Sequence, residues 1–218
     1  MKISELVDDI QRDYPDPLES TIERAVRRAF LDFCKRSEAW RHRDGDALVI
    51  GENYYPLVVP QGTYVLATEF CRVTLANGDE RTLTPVQWER VRLDGRGLPE
   101  VFCIEDKELA ISPVGVEGEY VLEVKLAPKR SCTDIPEEMA DKFLDVIRNG
   151  AIYELLRMPG QYWSENITRN QVADMQAEYE AGVMEAKREA RKDRSRPSRV
   201  AQIGGYSVGT RRRTRSLF

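Results

Sequence analysis

The sequence predicts an α+β fold: a bundle of N- and C-terminal helices, an inserted antiparallel β-rich domain, and an extended basic C-terminal tail. Three observations carry this expectation. Helical periodicity occupies both ends of the chain. Short β-branched and aromatic runs, separated by turn formers, fill the middle. The final residues show no apolar periodicity and are rich in arginine. For 218 residues, a prior of ~150 residues per domain allows one domain or two small ones. The predicted division is 1–40 for the N-terminal helices and 41–134 for the β-rich insertion with one short helix. The C-terminal helices take 135–193 and the tail takes 194–218.

Residues 3–12 place Leu6, Val7 and Ile10 at helical spacing, with Ser4 as a candidate N-cap. Tyr14-Pro15-Asp16-Pro17 ends that helix. A longer one is predicted from Pro17 or Leu18 to Arg36, because Pro17 suits a first turn. Its apolar stripe is Leu18, Ile22, Ala25, Val26, Ala29, Phe30 and Phe33. After Trp40 the period changes. Strands are predicted at 47–50, 54–59, 64–68 and 71–75, with Asn77-Gly78 as the strongest hairpin signal. Thr84 followed by Gln87 reads as a weak capping box opening a short helix over 86–91. Further strands are predicted at 101–104, 108–112 and 119–126, with Gly115 to Gly118 as a hairpin turn. Several strands in close succession favour an antiparallel sheet or small sandwich.

A helix is then predicted over 137–157, where Met139, Phe143, Val146, Ile147, Ile152 and Leu155 share a face. Gly150 weakens it locally, by about 1 kcal/mol relative to alanine. Met158-Pro159-Gly160 ends it. The last helix is predicted from Ser164 or Asn166 to Lys192, with Val172, Met175, Tyr179, Val183 and Ala186 at helical spacing. Beyond Arg194 the composition predicts a tail that is disordered in isolation.

Composition narrows the function. Apolar residues make up 41% and charged residues 32%, which suits a soluble protein with a sizeable core. No apolar run approaches the ~20 residues of a membrane span, and the acidic Asp8-Asp9 pair interrupts any leader-like start. The expected compartment is therefore a cytoplasm. Residues 187–218 hold eleven basic and two acidic residues, a charge of +9. The whole chain carries −4, so the remaining residues carry −4 − 9 = −13. An acidic body with a basic tail implies two surfaces with different partners. Cys34, Cys71, Cys103 and Cys132 form no CxxC pair and read as reduced packing residues.

Catalytic chemistry finds little support. The single histidine, His42, sits at a helix-to-strand junction with no nucleophile motif in the chain. No metal set, cofactor cradle or phosphate loop is predicted. Gly95-Arg96-Gly97 reads as loop chemistry, and the Asn166 sequon as a chance match. The tail resists the bland reading, since residues 187–218 hold nine arginines, mixed with Tyr206, Leu217 and Phe218. Nucleic-acid contact is one reading, because arginines neutralise phosphates and aromatics stack on bases. Docking to an acidic protein surface is the second, and a solvated tail without a partner is the third. Leu217-Phe218 favours protein over nucleic acid, because a purely phosphate-binding arm gains little from them.

The order of elements, together with local wording, resembles the head-tail adaptor (connector) proteins of tailed bacteriophages. Phe33-Cys34-Lys35-Arg36-Ser37-Glu38-Ala39-Trp40 is similar to that family's Trp-containing junction, and Asn53-Tyr54-Tyr55-Pro56-Leu57 to its strand entry. Leu109-Ala110-Ile111-Ser112-Pro113 resembles a further strand. Val124-Lys125-Leu126-Ala127-Pro128 followed by Ile135-Pro136-Glu137 resembles the lead into the third helix, and Ala151 to Trp163 its end.

The resemblance implies a structural ring, typically dodecameric, docked beneath the portal protein at the capsid vertex. Such a ring continues the DNA channel, lets packaged DNA pass without sequence-specific binding, and offers a platform to the next neck or tail protein. It implies no enzyme activity, no cofactor and no membrane, and a place in the virion neck after synthesis in the host cytoplasm. On this reading the tail binds the portal. Arg194, Arg196, Arg199, Arg211, Arg212, Arg213 and Arg215 pair with carboxylates, while Tyr206, Leu217 and Phe218 enter apolar pockets. A nucleic-acid-binding protein with an Arg-rich tail is the alternative.

Overall fold

A computed structural model describes residues 1–91, 97–105, 107–159, 161–164 and 168–194. The chain opens with two helices, α1 (Ile3–Asp13) and α2 (Glu19–Ser37). Eight strands follow: β1 (Arg41–Leu48), β2 (Tyr54–Pro56), β3 (Thr63–Leu75), β4 (Glu80–Thr82), β5 (Thr84–Pro85), β6 (Val101–Glu105), β7 (Glu108–Ser112) and β8 (Gly118–Pro128). Two helices, α3 (Glu137–Leu156) and α4 (Arg169–Arg194), come last, and short 3-10 turns cover Trp88–Arg90 and Tyr162–Ser164. This is the predicted α+β architecture.

The helices form one layer with α2 at its centre, packed on α1, α3, α4 and the strand β8. Ile22, Val26, Phe30 and Phe33 of α2 are fully buried, as are Leu6 and Ile10 of α1 and Ile147 of α3. The stripe predicted for α2 therefore faces the core, with one exception. Leu18 is the N-cap, with an extended backbone, and is 72% exposed. Pro17 accordingly lies outside the helix instead of in its first turn. Ser4 is not the cap of α1 either: Lys2 is, and Glu5 accepts its amide at 3.3 Å. The shift has a tertiary cause. Ile3 N–H donates to Thr133 O and Ile135 N–H to Met1 O, so the chain start is stapled to the segment entering α3.

The strands form two four-stranded sheets, ordered β1-β8-β3-β4 and β2-β7-β6-β5. The first is wholly antiparallel. The predicted Asn77-Gly78 hairpin joins β3 to β4, with Gly78 at φ 88°. Residues 64–68 and 71–75, predicted as separate strands, form one strand of 13 residues. Two bulges at Leu66 and Glu69 break its alternation, which is why its sequence reads as two runs.

Other local expectations fail where tertiary pairing overrides weak local signals. Residues 84–86 are extended, not the start of a helix: Thr84 N–H donates to Glu100 O and Val86 N–H to Phe102 O, making β5 parallel to β6. Gly115 to Gly118 is not a hairpin turn, because β7 and β8 belong to different sheets and this segment crosses between them. A Cβ on Gly115 would lie 2.7 Å from Gly97 O, so the crossing demands glycine. Gly150, a weak point for helix propensity, has a packing reason: the Tyr179 ring of α4 lies 2.6 Å from where its Cβ would be. All four cysteines are free and buried, and burial pushes the Cys71 thiol up to about 12 and Cys34 higher still.

Candidate functional site

The strand that leaves α2 is polar from its first residue. β1 begins at Arg41, six residues before the run predicted for it, and pairs with β8 so that Arg41 faces Lys125 and Arg43 faces Glu123. Side chains of alternate residues share a face. One face of the long sheet therefore carries Arg41, Arg43, Glu123 and Lys125 together at its helix-proximal end.

Glu123 and Lys125 are buried, Arg41 is partly buried and Arg43 is half exposed, and all four are paired. Glu123, with a side chain 3% exposed, accepts from Arg43 Nε at 2.6 Å and from Arg41 Nη1 at 3.4 Å. Lys125, 9% exposed, contacts Glu69 at 2.9 Å and donates to Glu38. Glu69 is the extra residue of the second bulge in β3, so the irregularity delivers the carboxylate. Glu38 ends α2 in the left-handed region at φ 56°, a conformation that costs a non-glycine residue about 1 kcal/mol or more. Its hydrogen bond from Lys125 offsets part of that cost and holds the Glu38 carboxyl below its usual range, against the opposing effect of burial.

The network reaches the end of the last helix. Arg41 Nη2 donates to Ala190 O, so one guanidinium links a sheet carboxylate to the α4 backbone. Lys142 of α3 pairs with Glu189 at 3.3 Å, and Arg36 of α2 with Glu180 at 2.6 Å. The Tyr179 hydroxyl donates to Asp32 at 2.8 Å, and desolvation followed by that bond raises its pKa well above the ordinary tyrosine value. Thus α2 holds the middle of α4, while β1 through Arg41 and α3 through Lys142 hold its last turns and fix where residue 194 leaves the body.

Of the predicted portal-binding residues, Arg194 is the last residue of α4. Arg196, Arg199, Tyr206, Arg211, Arg212, Arg213, Arg215, Leu217 and Phe218 lie outside the described residues. The anchoring set of Glu38, Arg41, Arg43, Glu69, Glu123 and Lys125 was not foreseen. Its signal was the charged alternation Glu119, Glu123, Lys125 within an otherwise apolar strand. His42 is half-buried in β1, and its Nε2 lies 2.7 Å from Val58 O. Among the described residues no group of three His, Cys, Asp or Glu side chains could hold a metal ion. No described helix is long and apolar enough to cross a membrane.

A model of the SU10 adaptor protein family matches residues 1–202. The chain belongs to that family. It is a phage structural adaptor and a virion component that interacts with other virion proteins. Comparison with curated proteins gives no match. The match runs eight residues past the adaptor's last helix, so the body and the start of its basic segment belong to the shared pattern, while Arg211 to Phe218 lie beyond it.

Proposed function

We propose that the adaptor forms a ring, a dodecamer, beneath the portal protein at the capsid vertex, where it continues the DNA channel. The helical segments 1–40 and 135–193 act as one unit and 41–134 as its insertion. The ring is built from heterologous contacts between bodies. Its basic segment binds portal through Arg194, Arg196, Arg199, Arg211, Arg212, Arg213 and Arg215, with Tyr206, Leu217 and Phe218 as apolar anchors. The distal side is the platform for the next neck or tail protein. The site is the virion neck, reached after synthesis in the host cytoplasm, and the activity is assembly without catalysis.

The observation that carries this reading is the triple anchoring of α4. A binding arm gains affinity when its root is fixed, because less orientational freedom is lost on docking. Arg36 holds the middle of α4, and Arg41 and Lys142 fix its root just before the arginine-rich residues. The acidic charge of the body supports a channel that lets DNA slide, since negative walls do not hold phosphates. Removal of residues 195–218 is the test, read by negative-stain microscopy of adaptor mixed with portal. The intact chain should stack rings on portal and the truncated chain should not. Equal docking by both would overturn the assignment of the arm. Salt-sensitive binding of DNA by the intact chain, with no portal docking, would favour the nucleic-acid reading instead.

A further inference from the structure

Beside the anchored end of α4 lies an open groove of about 160 Å³ between the α2–β1 junction, the first turns of α3 and Ala190. Trp40, Pro136, Met139 and Phe143 supply its apolar surface, and Arg41 and Lys142 its cationic rim. A cavity of about 150 Å³ accommodates a benzene ring, so the groove has room for one aromatic side chain. Among the described residues, nothing fills the groove.

The surface next to the groove selects the occupant. Glu138 lines it, and Glu137, Glu138, Asp141 and Asp145 form an exposed acidic stripe along α3 at helical spacing. None of the four forms an ion pair among the described residues, whereas Lys142 and Arg148 on the same helix do. The groove therefore wants an apolar residue attached to a run of cations. The chain itself contains that sequence: Arg211-Arg212-Arg213-Thr214-Arg215-Ser216-Leu217-Phe218. Its reach is sufficient. Residues 195–218 can span up to about 80 Å, and α4 continues only four residues past Ala190, about 6 Å of helix.

We propose that in the free subunit the adaptor's own residues 211–218 dock in cis on α3. Phe218 occupies the groove against Trp40, Met139 and Phe143. Arginines 211–215 lie along the Glu138, Asp141 and Asp145 stripe. The docking stands on the groove and the charges alone. Its consequence rests on the portal reading: the same residues cannot serve both surfaces, so portal must displace them. A subunit that holds its own arm is kept from unproductive contacts until portal competes for it.

The experiment uses the full-length chain with Phe218→p-benzoylphenylalanine, photo-crosslinked and mapped by mass spectrometry. Crosslinks should fall on residues 39–41 or 136–143 of the same chain, at a yield that dilution does not change. Asp141→Lys with Asp145→Lys should lower the yield roughly fivefold, as the loss of two exposed ion pairs would. Adding Arg212→Glu with Arg213→Glu should restore it. Crosslinks elsewhere, no crosslinks, or crosslinks only between chains would overturn docking in cis. Purified portal separates the two readings. If both hold, its addition moves the crosslink from α3 to portal. A groove crosslink that persists with portal unlabelled retains the docking and defeats the portal assignment. Labelled portal, with no groove crosslink in the free chain, does the reverse.

Discussion

The two ends of the long sheet are built by opposite rules. At the helix-proximal end, one face buries Glu123 and Lys125 and surrounds them with Arg41, Arg43, Glu38 and Glu69. At the far end, seven residues and about 23 Å along β1, the turn that follows the strand exposes apolar side chains. Val49 is 48% exposed and Ile50 57%, on the turn that leaves β1. A protein stabilised only as a monomer would bury the apolar residues and solvate the charges. The inversion shows that each end answers to a different need. Paired charges around a buried carboxylate and a buried ammonium are costly to rearrange, which suits a junction that must aim α4. Exposed aliphatics at a tip stabilise nothing in the isolated subunit and suit contact with another surface.

The largest effect should come from the buried carboxylate. Glu123→Ala leaves Arg41 and the half-exposed Arg43 side by side without an acid, and with Arg43 partly solvated the loss should be about 2–3 kcal/mol. Chemical denaturation should show this loss; a change below about 1 kcal/mol would mean that the network is solvated and the contrast between the ends is false. Arg41→Ala comes next. It gives up hydrogen bonds to Glu123 and Ala190, about 1–2 kcal/mol, and its signature is local. Amide exchange should rise over 187–194 and not over α1. Uniform protection across α4 in this variant would show that Arg41 does not anchor the helix end.

Periodicity made the helices legible, because their stripes are long and each is buried on one side only. Ile22, Val26, Phe30 and Phe33 need no tertiary knowledge to be assigned. The β-rich part was legible in its hairpin and its apolar strands, and failed where pairing is non-local. Arg41 to Asp46 carries almost no β-signal and is a strand because β8 lies beside it. Thr84-Pro85 imitates a helix start and is held extended by β6. The anchoring site was hidden for the same reason. Glu38, Arg41, Glu69, Glu123 and Lys125 come from four separate segments, and only strand register and a bulge bring them together.

Acid should act on the helix-proximal end alone. Lys125 holds the Glu38 carboxyl below its usual range in the folded state, while the unfolded chain has the ordinary value. Glu38 therefore contributes stability that is fully present above the ordinary carboxylate range and lost as pH falls through the depressed native value. Its side chain is 40% exposed, so solvent screening keeps the contribution to about half a kcal/mol. Wild type should exceed Glu38→Gln in stability at neutral pH, and the two should converge in acid. A gap that widened as pH fell would reverse the sign and remove Glu38 from the network.

The smallest effect on stability should come from the tip, and it sharpens the comparison most. Val49→Ser with Ile50→Ser removes aliphatic surface that is already half in water, so the folded subunit should change by no more than about 0.5 kcal/mol. The surrounding turn does not depend on these side chains. Gly51 N–H donates to Val114 O and Val49 N–H to the Tyr55 hydroxyl, both through the backbone of the turn. Glu52 and Glu117 are exposed nearby, so a surface that covers this tip would meet apolar side chains rimmed by acids. If the tip serves the distal platform, the double variant should still stack on portal but should capture the next neck protein at least tenfold more weakly, since losing two aliphatic contacts costs about 1.4 kcal/mol or more. A variant that lost portal docking as well would tie both ends of the sheet to one interface. The division between an anchored end and a contact end would then fail.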